Sequence, residues 1–205
     1  MGLSAERLRE GIDAIAAQDA HVAAALVRAG YPEPRIRARG YETLLRTIVG
    51  QQVSVGAANS IWNKLAGAIG DIADPRALLA RSAEELRAAG LSRQKIGYAQ
   101  SLAGLSASGE IDFANLPADD EEAIALLSAV KGIGRWSAEI YLLFAEGRPD
   151  IWPAGDLAVQ IEVGRIKGLA ERPSERTTRE IAELWRPHRG AAAVFMWHHY
   201  KTEVL

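Results

Sequence analysis

Apolar side chains recur at intervals of three and four along almost the whole chain, as in Leu8, Ile12, Ile15 and Ala16 and again in Leu44, Leu45, Ile48 and Val49. That period lines one stripe of an α-helix, whereas one face of a strand needs a period of two. No stretch alternates with period two over a strand's length, so the sequence predicts an all-α fold of about ten short helices. Helix-end chemistry agrees. Asp74 stands before Pro75 at a first helical position, Ser82 and Glu85 have the spacing of a capping box, and Gly90 closes that helix. Ser92 starts another helix that runs to about Ser106, and the acidic pair Asp119-Asp120 suits a further helix amino terminus.

At 205 residues the chain can form one compact fold or two small lobes, with a core that needs neither disulfide nor structural metal. It contains no cysteine, which excludes thiolate zinc sites, iron–sulfur clusters and a cysteine nucleophile. With 24 Lys and Arg against 26 Asp and Glu, the net charge of −2 excludes a histone-like polycation and leaves basic patches to be sought locally. The amino-terminal segment mixes Arg, Glu and Asp through its apolar residues, unlike a signal peptide. No window approaches the roughly 18 uncharged apolar residues of a membrane span, so no membrane role is expected and the cytoplasm is the default compartment.

Two stretches break the helical pattern, Val130 to Trp136 and Arg148 to Asp156. In the first, a Lys-Gly-Ile-Gly connector joins the apolar stripe of Ile124, Leu126, Leu127 and Val130 to that of Ile140, Tyr141, Leu143 and Phe144. This predicts a helix, a tight hairpin and a second helix. Gly132 and Gly134 permit positive φ and close approach, while Ile133 points inward and pins the helices. The outward-facing amides then form a nest suited to a phosphate. Lys131 and Arg135 flank it and Ser137 offers a hydroxyl. A plain tight turn remains the alternative. A dinucleotide fingerprint, suggested by Asp156 lying 22 residues past Gly134, fails because Ser137 takes the third glycine's place and the preceding segment is helical.

The run from Leu127 to Ala138, the Gly- and Pro-containing loop that ends at Asp156, and the segment Ile48 to Val55, whose Gly50 lies 82 residues before Gly132, together resemble the helix-hairpin-helix (HhH-GPD) DNA glycosylases. Within that superfamily they are most similar to the DNA-3-methyladenine glycosylase II group, over roughly residues 40 to 200. The resemblance implies two helical lobes with an active-site cleft between them. Residues 40–148 would form the lobe with the hairpin, and residues 1–39 and 149–205 the lobe with the catalytic aspartate. It also implies double-stranded DNA containing damaged bases as partner, a monomer, and a location in the nucleoid of a prokaryote or the nucleus of a eukaryote.

Family roles then attach to matching residues. Breaking a C1′–N bond builds oxocarbenium character on the sugar, which a fixed carboxylate stabilises; the matching aspartate is Asp156, whose other reading is a cap for the helix starting at Leu157. Trp136 and Trp197 match aromatics that hold the flipped base, with core packing as the alternative. Trp62 and Trp185 read as core, and Trp152 either shapes the pocket or anchors its loop. Gln52 matches the wedge that fills the gap left by the flipped nucleotide, or is an exposed helix-end glutamine. Relatives that also cut the backbone carry a Schiff-base lysine where this chain has Trp136, so a monofunctional enzyme releasing alkylated purines and leaving an abasic site is expected. Ile140 and Leu157 stand where some relatives have further aromatics, which leaves the substrate breadth open; a glycosylase for hypoxanthine or a mismatched base is the alternative within the same class. A noncatalytic hairpin module is the alternative from another class.

No cofactor is required for that chemistry, and an alkali-metal ion held by hairpin carbonyls is compatible with the resemblance. His198 and His199 are adjacent and lack the i, i+4 spacing of a metal site. The loop Arg186-Pro187-His188-Arg189 is either a phosphate contact or a solvated turn.

Overall fold

The computed structural model describes residues 2–203 and contains no strand among them. The chain divides into two compact units, one of Met1–Arg37 and Leu142–Leu205 and one of Ala38–Tyr141. Twelve α-helices are present among the described residues, and the short ones at Pro75–Leu79 and Ala83–Ala88 start at the caps that the sequence marks.

The contiguous unit holds α3 (Tyr41–Gly50), α4 (Val55–Ile69), α5 (Pro75–Leu79), α6 (Ala83–Ala88), α7 (Arg93–Ala107), α8 (Asp120–Ser128) and α9 (Arg135–Tyr141). Its centre is α7, which packs against α3, α5 and α6. Leu44, Leu45, Ile48 and Val49 of α3 are buried with Ile96, Ala99, Leu102 and Ala103 of α7, and Trp62 joins the core as its spacing predicts. Side-chain caps set the phase of these helices: Asp74, Ser82, Ser92 and Asp119 each accept a first-turn amide, and Ser82 with Glu85 closes both halves of a capping box.

The other unit joins the two ends of the chain: α1 (Ala5–Gln18) and α2 (Ala20–Ala29) from the beginning, α10 (Leu157–Lys167), α11 (Glu175–Ala182) and α12 (Arg189–Glu203) from the end. Helix α12 packs against α1, α2 and α10. The second junction lies between Tyr141 and Leu142, earlier than the Arg148 suggested by the sequence. There α9 runs on into a π-helix, Leu142–Glu146, whose residues Leu142 to Ala145 are buried. The Phe144 carbonyl takes the Arg37 amide at 2.9 Å and its ring lies 5.6 Å from Trp197, so this segment packs with the chain ends.

A buried charge links those ends. Asp19 caps α2 through the His21 and Val22 amides, while its other oxygen accepts from Lys167 Nζ and Trp185 Nε1, both at 2.9 Å. Burial pushes the Asp19 carboxyl up, but the hydrogen bonds from Lys167 and Trp185 outweigh it and the net shift is downward. A carboxyl lowered by folding adds stability above its unfolded range and loses it as pH falls through the folded value. Asp19→Asn is therefore expected to cost on the order of 3 kcal/mol at pH 7. That gap should narrow as pH falls below about 4, and urea denaturation at pH 7 and pH 3 reads it. An equal gap at both would remove charge from the explanation.

Candidate functional site

The hairpin between α8 and α9 is built as its glycines require. Ile133 is buried and donates its amide to the Val130 carbonyl at 3.0 Å. Gly132 has φ of 81°, and a Cβ there would lie 2.2 Å from the Tyr98 ring, so both the turn and the neighbouring helix forbid a side chain. The Lys131 amide bonds Ser101 Oγ at 3.1 Å, which ties the turn to α7. Ala138 is the first residue of α9 to bond back into its own helix, to Gly134, so the preceding first-turn amides have no acceptor within that helix.

Charge around this turn differs from the sequence expectation. The Arg135 guanidinium is held by Glu121 at 2.8 Å and, through Nε, by the buried Glu139 at 2.9 Å. Its positive charge is offset inside the unit, where sequence reading set it beside a phosphate. Lys131 is exposed and Ser137 half-buried. Trp136 is 46% exposed on the first turn of α9, so it is not core. The Val130 and Gly132 carbonyls already accept amides yet keep a second lone pair each.

Gln52 lies in the same unit, in the loop between α3 and α4, and is exposed. Its φ of 55° makes it the non-glycine residue held in the left-handed region among those described. Its neighbour Gln51, which sequence reading passed over, donates Nε2 to the Gly132 carbonyl at 2.9 Å. Two motifs far apart in sequence are thus joined, and Lys95 Nζ bonds the Val49 carbonyl at the end of α3, just before that loop, at 2.7 Å. Burial pulls the Lys95 ammonium below its ordinary range.

In the unit of the chain ends, Asp156 caps α10 through the Val159 amide at 3.0 Å, and the same Oδ1 accepts from Trp197 Nε1 at 3.1 Å. Asp156 and Trp197 are both half-buried. Asp156 thus caps α10 and accepts the indole N–H through one oxygen. The Trp197 ring tilts against Phe144 at 5.6 Å, so part of its surface is packed. Leu157, next to Asp156, is exposed, and in the other unit Ile140 is buried.

The loop carrying Asp156 is anchored from several sides. Trp152 is buried, donates to the Thr178 carbonyl at 3.2 Å and meets Trp185 edge-on, which assigns it to anchoring. Gln160 bonds the Ala154 carbonyl at 2.8 Å and the Asp156 amide bonds that of Pro153 at 2.9 Å. Arg186 and Arg189 both grip Asp150 and Glu183, with Arg189 only 12% exposed. These two guanidiniums hold their own loop by ion pairs, and Arg186 remains exposed. His199 bonds Glu162 at 2.6 Å and His198 bonds the Ala29 carbonyl at 2.8 Å, which sends the adjacent histidines to different helices. Among the described residues no group of His, Asp and Glu is arranged to hold a metal.

A family model described as HhH-GPD superfamily base excision DNA repair protein matches residues 45–187. The DNA-3-methyladenine glycosylase 1 of Schizosaccharomyces pombe is 33% identical over 161 residues, which is 77% of this chain and 71% of that protein. Among solved structures, a DNA-3-methyladenine glycosidase from Bacillus halodurans aligns with a TM-score of 0.88 at 30% identity, covering 95% of this chain and 90% of that one. The 3-methyladenine DNA glycosylase of Schizosaccharomyces pombe in complex with abasic DNA gives 0.77 at 28% identity, covering 96% and 97%.

The backbone at Gln52 supplies a test independent of activity. Gln52→Gly is expected to hold or raise stability by up to about 1 kcal/mol, whereas Gln52→Val loses about 1 kcal/mol or more because a β-branched residue is poorly tolerated at positive φ. Thermal unfolding of the two variants beside the parent decides it; equal midpoints would show that no strain is held there.

Proposed function

The chain belongs to the HhH-GPD superfamily of base excision DNA repair proteins, and we propose that it is a monofunctional DNA glycosylase that removes alkylated purines such as 3-methyladenine and 7-methylguanine from duplex DNA. The observation that carries this reading is the Asp156 carboxylate, oriented by a helix amino terminus on one side and an indole N–H on the other.

Loss of a purine leaves oxocarbenium character at C1′, and a preoriented carboxylate stabilises that charge without reorganising during the reaction. The same carboxylate orients the attacking water. An alkylated purine is already cationic, so it departs with little acid assistance, and no dedicated acid is needed. Trp136, exposed on α9, offers an aromatic face suited to such a cation. Trp197 has a second task beyond stacking, because its N–H holds Asp156. Gln52 fills the place of the extruded nucleotide, its left-handed backbone aiming a polar side chain outward. The amino-terminal end of α9 with the Lys131 side chain holds backbone phosphate, to which Gly132 and Gly134 give close access and Ser137 adds a hydroxyl; Arg135 shapes the turn from within its carboxylate pair.

No lysine occupies position 136, so the reading includes no Schiff base and no strand cleavage. The enzyme works as a monomer, in the nucleoid or the nucleus according to its source. No described helix is long and apolar enough to cross a membrane.

Chromatography of free bases released from methylated duplex tests this reading. Release of 3-methyladenine or 7-methylguanine, with the product strand intact until alkali treatment and no adduct trapped by borohydride, is the expected result. A folded protein that releases neither base overturns it. Trp197→Phe keeps a ring but removes the donor to Asp156; with a hydrogen bond to a charged group worth about 1.5–3 kcal/mol, kcat should fall about tenfold or more while KM stays close to the parent's. A rise in KM alone would assign Trp197 to base stacking only.

A further inference from the structure

The residues that sequence reading assigned to DNA, Gln52, Lys131, Gly132, Gly134, Arg135 and Ser137, all belong to the Ala38–Tyr141 unit. The cations that it favoured on the other unit, Arg186 and Arg189, are engaged by Asp150 and Glu183. Yet Asp156 lies on that other unit and must approach a polyanion. A carboxylate brought to a phosphate backbone meets repulsion unless cations stand beside it.

The connector after α2 supplies them. Residues 31–39 form neither helix nor strand, and Pro32 and Pro34 restrict the backbone of this stretch. Arg35, Ile36 and Arg37 are exposed. Arg37 is fixed at its backbone by the 2.9 Å bond to the Phe144 carbonyl, and its guanidinium carbon lies 5.9 Å over the Phe144 ring. Phe144 leans on Trp197, and Trp197 bonds Asp156. Arg37 is therefore one ring removed from the indole that holds the carboxylate. The amino terminus braces the same stretch: a Cβ on Gly2 would lie 2.7 Å from the Phe144 carbonyl oxygen and 3.2 Å from that of Arg35. Among the described residues neither Arg35 nor Arg37 has a carboxylate partner, whereas Arg165, Arg176, Arg179, Arg186 and Arg189 of the same unit do. Glu33 is the acidic neighbour in this stretch, and it is exposed.

We propose that Arg35 and Arg37 form a phosphate clamp that holds the DNA backbone beside the nucleotide on which Asp156 acts, an inference that rests on the glycosylase reading only for the position of that nucleotide. Guanidinium suits the task because it stays charged and meets a phosphate with two parallel N–H donors. The cation–π contact with Phe144 and the backbone bond set where Arg37 stands before DNA arrives.

The test is equilibrium binding of a duplex carrying one abasic site, measured across a salt series for the parent, Arg35→Ala/Arg37→Ala, Arg35→Lys/Arg37→Lys and Arg176→Ala. Each phosphate contact contributes about 0.9 to the slope of log K against log salt. The alanine pair is expected to bind more weakly, with a slope smaller by about 1.8, and the lysine pair to restore most of that slope. Arg176→Ala, which disrupts an exposed pair with Glu180, should leave the slope in place. An unchanged slope in the alanine pair overturns the clamp, as does weaker binding that the lysine pair does not restore, because that pattern reports lost packing on Phe144. Base release by the parent is scored separately. A slope lost in the alanine pair and restored by the lysine pair, with a parent that releases no base, keeps the clamp and sinks the glycosylase reading.

Discussion

One oxygen, Oδ1 of Asp156, accepts from the Val159 amide and from the Trp197 indole, and those two bonds fix the start of α10 to α12. The unit built from the two ends of the chain is organised to keep that arrangement. Its helices are joined by carboxylates rather than by apolar contact alone: Asp19 links α2 to Lys167 and Trp185, Glu162 links α10 to His199 on α12, and Asp150 gathers Arg186 and Arg189. Buried pairs of this kind add little net stability compared with apolar packing, yet losing one partner is costly, so they favour one arrangement of the helices over near alternatives. The carboxylate of the proposed reaction requires that property, because a small error in its position removes its advantage.

The other unit solves a different problem with a different means. Its hairpin is held by exclusion and by backbone bonding, with the Tyr98 ring against Gly132 and Gln51 on the Gly132 carbonyl. The consequence is a turn closed by its own bonds that leads into the amino terminus of α9, while the nearest guanidinium, Arg135, is paired with Glu121 and Glu139. In the proposed reading, phosphate binding at this turn draws on oriented dipoles more than on free charge. The connector arginines supply free charge on the unit that carries Asp156.

What the sequence disclosed and what it hid divide along a physical line. Local signals were legible: the caps at Asp74, Ser82, Ser92, Asp119 and Asp156, the inward Ile133 and the core positions of Trp62 and Trp185 depend on neighbours within a few residues. Distant pairings were not. Nothing in a period of 3.6 shows that Arg186 and Arg189 meet Asp150, or that Arg135 is spent on Glu121, because those partners are set by tertiary packing. The passage from α-helix to π-helix at Leu142 leaves the apolar pattern nearly unchanged, so a unit boundary at Tyr141 has no mark in the sequence. Gln51 was overshadowed by Gln52, and Arg35 and Arg37 lie in a stretch without any period to draw attention to them.

The account stands or falls on the carboxylate at position 156. Single-turnover release of 3-methyladenine from duplex DNA, followed for the parent and for Asp156→Asn alongside their affinities for an abasic-site duplex, measures its contribution directly. Asparagine still caps α10, so the account predicts a folded variant that binds abasic DNA nearly as the parent does and excises about 10²- to 10³-fold more slowly. Excision at the parent's rate by that folded variant would contradict it.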